Sequence, residues 1–227
     1  MATKPKTYRP HVLLVNNQPL LQKLLVDHLT ARDLFVHPVN SLAQATDYLK
    51  VNSVDLVITD LILDEKEVSK REFLSFINGD SNTGIAIFTS VPDPRLLGIE
   101  LNQIPRHAAY VVSNQKSSLT DLVEACRFVI SGRTPTKYRQ HLLAKHELAE
   151  LSRSQLNVLS LVASGASNTE IAKQRGTTVR AVENLMKRTL SAMKLDGTSD
   201  SNSRVKAVLL YLETLGIETP TRLDSNR

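Results

Sequence analysis

The sequence predicts an α/β doubly wound five-stranded parallel sheet followed by an all-α domain. Two patterns predict it. Over residues 1–131, short apolar runs alternate five times with helix-length amphipathic segments, as βαβ units do. From Leu151 onward the β-type runs stop, and helix-start signals recur at short intervals. The charge divides at the same place: residues 1–131 carry a net −1 and residues 132–227 a net +6. The basic half is the candidate for a polyanionic partner, provided a motif supports it.

The strand segments are Val12–Val15, Leu34–Val39, Leu56–Thr59, Ile85–Thr89 and Tyr110–Val112. Helical patterns fall near Leu20–Leu29, Leu42–Lys50, Glu67–Ile77, Pro94–Gln103 and Ser118–Ile130. Doubly wound sheets place their sites at the carboxyl ends of the strands. Those ends carry Asn16, Asn17, Asp60 and Thr89.

Ser131 to Thr136 contains Gly132 and Pro135 and breaks structure. Residues 132–150 therefore read as a linker, with Tyr138 to Glu150 forming a short helix. His141 and His146 are five apart and do not share a helix face, so they read as solvent-exposed linker residues and not as metal ligands.

Ser152 with Gln155 three later is a capping box, and Gly165 is a natural stop for the helix between them. Ser167 with Glu170 is a second capping box, followed by Ile171 and Ala172. Arg175 and Gly176 make a turn, with Thr177 or Thr178 as the next N-cap. A long helix then runs from Val179 to Lys194. Two capped helices around a Gly-containing turn form a helix-turn-helix pattern. In the long helix, Val179, Val182, Met186, Leu190 and Met193 form the expected core stripe, opposite Arg180, Glu183, Asn184, Lys187, Ser191 and Lys194.

Several classes are excluded or made weak. No apolar run reaches the ~20 residues of a membrane span, and the basic N-terminus is not followed by a signal-type apolar stretch. The expected location is cytoplasmic. With one cysteine, Cys126, no internal disulfide or cysteine zinc site can form; Cys126 reads as a small buried hydrophobe. No Ser/His/Asp cluster, metal motif or Gly-rich phosphate loop supports an enzyme.

These residues carry a family resemblance. The run from Val54 to Asp60 resembles the strand that delivers the phospho-accepting aspartate of bacterial receiver domains, and Thr89 matches the family's phosphoryl-binding hydroxyl. The segment from Leu151 to about Gly216 resembles the LuxR-type helix-turn-helix of NarL/FixJ response regulators. It does so through Ser167, Asn168, Glu170, Ile171, Ala172, Gly176, Ala181 to Asn184 and Met193 to Leu195. The resemblance implies a receiver over 1–131, a four-helix DNA-binding domain over 151–217 and a tail over 218–227. It also implies a homodimer on double-stranded DNA, with the last helix, about Ser203–Leu215, as the common dimer contact.

The receiver departs from the pattern where the chemistry is most demanding. Asn16 and Asn17 occupy the positions of a magnesium-binding acidic pair, and Ser113 falls where the family carries a lysine. The loop from Leu61 to Glu67 is about two residues longer than usual. Phosphoryl transfer to a carboxylate brings anions together and needs Mg²⁺ and a cation to offset them. Asparagine offers a carbonyl oxygen without charge. The expectation is a pocket without bound magnesium, in which Asp60 is an ordinary hydrogen-bonded residue. Asp64 and Glu65 are stand-in ligands by proximity alone.

The DNA-binding half departs in detail. Gln155 and Asn157 replace commonly acidic residues, Arg175 an aliphatic one, and Ala181, Glu183 and Leu185 stand where Thr, Lys and His are frequent. Glu183, Asn184 and Lys187 are the base-edge candidates: Asn for adenine, Lys for guanine, Glu for a cytosine amino group. Glu183 is equally suited to pairing with Arg180 or Lys187. Thr178, Arg180 and Arg188 are phosphate-contact candidates. The leading reading is a transcription regulator with a phosphorylation-independent receiver that controls dimerisation or binds a partner protein or small ligand. A conventional regulator phosphorylated on Asp60 is the first alternative. A protein that titrates partner regulators with little DNA binding is the second.

Overall fold

The computed structural model describes residues 8–63, 67–79, 82–113, 119–133, 136–143, 146–195, 203–217 and 219. They form two compact units. The first comprises 1–90 and 99–143; the second comprises 91–98 and 144–227. The chain thus enters the second unit once before the first is complete.

The first unit is built on five parallel strands: β1 His11–Val15, β2 Phe35–Val39, β3 Leu56–Thr59, β4 Gly84–Thr89 and β5 Ala109–Val112. Their order is β2-β1-β3-β4-β5. Helices α1 Pro19–Thr30, α2 Leu42–Val51 and α3 Glu67–Asn78 connect β1 through β4, and α4 Leu119–Ile130 follows β5. Side chains alternate across the pleat. Val12, Leu14, Leu56, Ile58, Ala86, Phe88, Ala109 and Val111 share one core with Leu25 and Leu29 of α1 and Leu122, Cys126 and Val129 of α4. Leu13, Val57, Ile85, Ile87 and Tyr110 have the opposite parity and are fully buried, and α2 and α3 supply Leu42, Ala45, Phe73, Leu74 and Ile77 to the core. All of β1, β3, β4 and β5 apart from the first residue of β1 is buried, which is why these strands read as continuous apolar runs. Cys126 is buried as expected, and burial pushes its thiol up to about 12.

Three expectations are corrected. The helix expected over Pro94–Gln103 is two short 3-10 turns, Pro94–Leu97 and Leu101–Gln103. Gly98, at φ 72°, takes the left-handed conformation that ends the first turn, and a Glu100–Gln103 capping box starts the second. The helix expected over Tyr138–Glu150 is a 3-10 segment, Thr136–Leu143, followed by turns. Its Tyr138 is buried in the core of the first unit, so apolar packing and not solvent claims the start of the segment read as linker. His146 is also not a solvent-exposed residue: its side chain is only 12% exposed and lies against Asp93. Asp64, Glu65 and the side chain of His141 lie outside the described residues.

The second unit contains α5 Arg153–Ala163, α6 Asn168–Gln174, α7 Val179–Ala192 and α8 Ser203–Thr214. Both capping boxes form, with Ser152 and Ser167 as the N-caps. Helices α5 and α6 end alike. Ala166 N–H donates to Leu161 O at 3.1 Å and Thr177 N–H to Ala172 O at 2.9 Å, each past a glycine with positive φ. This is the closure in which glycine avoids a Cβ penalty. Leu156, Leu159, Ile171, Val182, Met186, Ala207 and Tyr211 are buried. Val179, expected in the core stripe of α7, is 38% exposed, because it occupies the first helical position at the edge of the packing. Thr189 is buried instead, its hydroxyl donating to Leu185 O at 2.9 Å.

Candidate acidic pocket and nucleic-acid interface

The strand order reverses direction between β1 and β3, and this switch point opens a crevice at the carboxyl ends of the strands. Register places Val15 beside Thr59, so the next residues, Asn16 and Asp60, emerge from neighbouring strands. Asp60 is 8% exposed and Asn16 2%.

Asn16 is held by its own loop and by the start of α1. Its Oδ1 accepts from Gln18 N–H at 2.9 Å, closing an Asx turn. Its backbone carbonyl accepts from Gln22 Nε2 at 2.8 Å, and the same amide group donates to Val39 O and Asn40 Oδ1. Asn17 follows, half-buried.

Asp60 Oδ1 accepts from Ile62 N–H at 3.0 Å. Burial pushes its carboxyl above the ordinary range. Hydrogen bonds from Ile62 N–H, the Thr89 hydroxyl and Leu61 N–H, with the charge of Lys70 on α3, offset that only in part. Thr89 is 1% exposed, and its carbonyl accepts from Ser113 N–H at 2.7 Å. The fold therefore gathers Asp60 with Thr89 and ties Ser113 to the end of β4 by its backbone. Lys70 is a pocket charge that sequence reasoning did not find, since nothing in the spacing from Asp60 marks it. Among the described residues, no group of three or more His, Cys, Asp or Glu could hold a metal ion.

The second site is the outer face of α7. Thr178 caps this helix, its hydroxyl oxygen accepting from Ala181 N–H at 3.2 Å. The hydroxyl proton remains available to an outside acceptor. Arg180, Glu183, Asn184, Lys187 and Arg188 are exposed, while Val182, Met186 and Thr189 anchor the opposite side. None of the ion pairs among the described residues involves Glu183. Helix α7 packs on α5 and α6, and α8 is held by Arg204, whose guanidinium donates to Asn168 Oδ1 at 2.9 Å. The result is a rigid platform with a polar, mainly cationic ridge.

Comparison with solved structures identifies the architecture. RcsB from Salmonella enterica serovar Typhimurium, bound to promoter P1flhDC in the presence of phosphomimetic BeF₃⁻, matches at a TM-score of 0.58. The match has 18% identity and covers 91% of this chain and 100% of that one. The chain has the two-domain fold of these RcsB structures. RcsB from the same organism bound to promoter rprA matches at 0.56, with 19% identity over 90% of this chain and 99% of that chain. A structure of two RcsB dimers bound to two parallel DNAs matches at 0.54, with 19% identity over 92% and 100%. No family model and no curated protein matches the sequence. Among the described residues, no helix is long and apolar enough to cross a membrane.

Proposed function

We propose that this chain is a sequence-specific DNA-binding transcription regulator whose receiver-like unit works without aspartyl phosphate. The observation that carries the DNA-binding reading is the exposed ridge Arg180–Asn184–Lys187 on a capped helix whose opposite side is buried. A major groove admits one α-helix, and Asn and Lys are suited to adenine and guanine edges. The RcsB structures that share this fold are described as bound to promoters. By that likeness the protein binds DNA as a dimer.

The donor chemistry supports independence from phosphate. Mg²⁺ takes oxygen ligands, normally carboxylates. Asp60 is the one carboxylate of the predicted pocket set, its carboxyl is pushed up by burial, and Asn16 Oδ1 is already turned onto Gln18. These residues do not fit a magnesium site. The unit then acts by contact, as a dimerisation or partner-binding module. One observation favours phosphorylation at Asp60 instead: Thr89 is still bonded to Asp60, and Lys70 supplies a positive charge nearby.

Genome-wide mapping of bound DNA, for the wild type and an Asp60→Ala variant, tests both halves. Discrete sites retained by the variant are expected. Absence of discrete sites for the wild type overturns the DNA-binding reading. Loss of sites in the variant alone, with a phosphoryl gain by intact mass after acetyl phosphate and Mg²⁺, establishes the alternative.

A further inference from the structure

Beside the reading ridge, α7 presents a second stripe, Ala181, Leu185 and Arg188, spaced so as to lie on one side of the helix. This stripe forms one wall of a cleft of about 430 Å³. Val182, Ser154 of α5 and the turn Arg175–Gly176–Thr177 form the rest. Among the described residues, the charged side chains lining it are two arginines, Arg175 and Arg188, and no carboxylate. The floor at Gly176 is open, since a Cβ there would meet nothing within 4 Å.

Neutral amides bond Arg175 at its guanidinium and Arg188 at its backbone carbonyl. The Arg175 guanidinium donates to the Asn157 side-chain carbonyl, a neutral acceptor. Arg188 O accepts from Gln155 Nε2 at 3.4 Å, and Gln155 is itself held by the capping box with Ser152. Asn157, a neutral amide, thus occupies the position from which a carboxylate would cancel Arg175. A guanidinium anchored through one N–H keeps further donors for the oxygens of a phosphate.

We propose that this cleft seats one backbone phosphate of double-stranded DNA, clamped between Arg175 and Arg188. This rests on the DNA-binding reading and adds a contact outside α7. If Asn184 and Lys187 face base edges, the stripe beside them faces the sugar–phosphate wall of the same groove. Arg175, on the turn, then closes on that phosphate from the far side of the cleft. The contact fixes register and carries no sequence preference.

The test measures binding of the full-length wild type, Arg175→Gln, Arg175→Glu and Asn157→Asp to a selected operator duplex and a scrambled duplex across a salt series. Loss of one phosphate contact lowers the slope of log K against log[salt] by about 0.9, about eightfold in affinity near 0.1 M salt. Arg175→Gln is expected to show that loss equally on both duplexes. Asn157→Asp, which keeps the cation but pairs it, is expected to weaken both duplexes in the same sense. Unchanged slope and affinity in Arg175→Gln and Arg175→Glu, with salt-dependent wild-type binding, overturns the seat and leaves the reading of α7 standing. Equal weakening with an unchanged slope also overturns it, because that marks a folding effect. Failure of the wild type to bind any duplex overturns the DNA-binding reading itself.

Discussion

His146 Nε2 lies 3.1 Å from Asp93 Oδ2, and Asp93 is 3% exposed. The same carboxylate receives both Nε and a terminal nitrogen of Arg95, at 3.0 and 2.6 Å, and Arg95 continues to Ala149 O at 2.9 Å. Burial by itself would raise the Asp93 carboxyl; the hydrogen bonds from His146 and Arg95 outweigh it and hold the group at about 2. A carboxyl held below its unfolded value of 3.8 stabilises the fold fully above that value, and the contribution is lost as pH falls toward about 2. It is worth about 2 kcal/mol at neutral pH. Asp93→Asn is therefore expected to lower stability in urea unfolding at pH 7 by roughly that amount, with the gap to wild type closing between about pH 4 and pH 2.

Tyr211 makes a second buried contact to the same segment. Its hydroxyl donates to Leu96 O at 2.6 Å. Tyr211→Phe keeps the ring and removes the donor, so a buried carbonyl loses that partner at about 1–2 kcal/mol. A drop in the urea midpoint without a change in slope is the expected result.

On α7 the expected losses divide by role. Asn184→Ala and Lys187→Ala each weaken binding to the selected operator by about 1–3 kcal/mol while scrambled duplex changes little. Arg188→Ala weakens both duplexes alike and lowers the salt slope. Wild-type operator affinity in the Asn184→Ala/Lys187→Ala double variant would remove α7 as the reading element. Fluorescence anisotropy at several salt concentrations separates these cases.

The acidic pocket is tested by restoring what it lacks. In Asn16→Asp/Asn17→Asp/Ser113→Lys, phosphoramidate with Mg²⁺ is expected to add one phosphoryl group on Asp60, read by intact mass. The wild type is expected to add none under the same conditions. Asp can replace Asn16 without losing the Asx turn, because that turn needs only the side-chain oxygen.

Gly84 begins β4 where a Cβ would lie 2.5 Å from Val129 Cγ1 and 3.1 Å from Asp55 O. Gly84→Ala is expected to destabilise the protein by about 1–3 kcal/mol through overpacking, visible as a lower melting temperature.

Much of this was legible because the signals are local. The buried strands β1, β3, β4 and β5 read as apolar runs, and the Ser152–Gln155 and Ser167–Glu170 boxes read as caps because both partners lie within one turn. Pro94–Gln103 misled because its apolar content suits a helix, while Gly98 turns left-handed inside it. Lys70 could not be read as a partner of Asp60, since nothing in the spacing marks it, nor His146 as a partner of Asp93, since nothing in a sequence encodes a pairing across 53 positions. Val179 is exposed against expectation because helical periodicity locates a face and not the depth at which the face meets its neighbours.

The sequence by itself determined the five strands, the helix-turn-helix and the loss of charge at Asn16, Asn17 and Ser113, because period, caps and residue chemistry are properties of short stretches. Only the tertiary structure decided what those residues touch. Asn16 turns onto Gln18 and Gln22, Asp60 is pushed up by burial, segment 91–98 joins the C-terminal unit, and Arg175 meets Arg188 across a cleft lined by no carboxylate. The physical reason is that desolvation and charge act through space. A carboxyl or guanidinium takes its character from neighbours that packing, and not chain order, brings within a few ångströms.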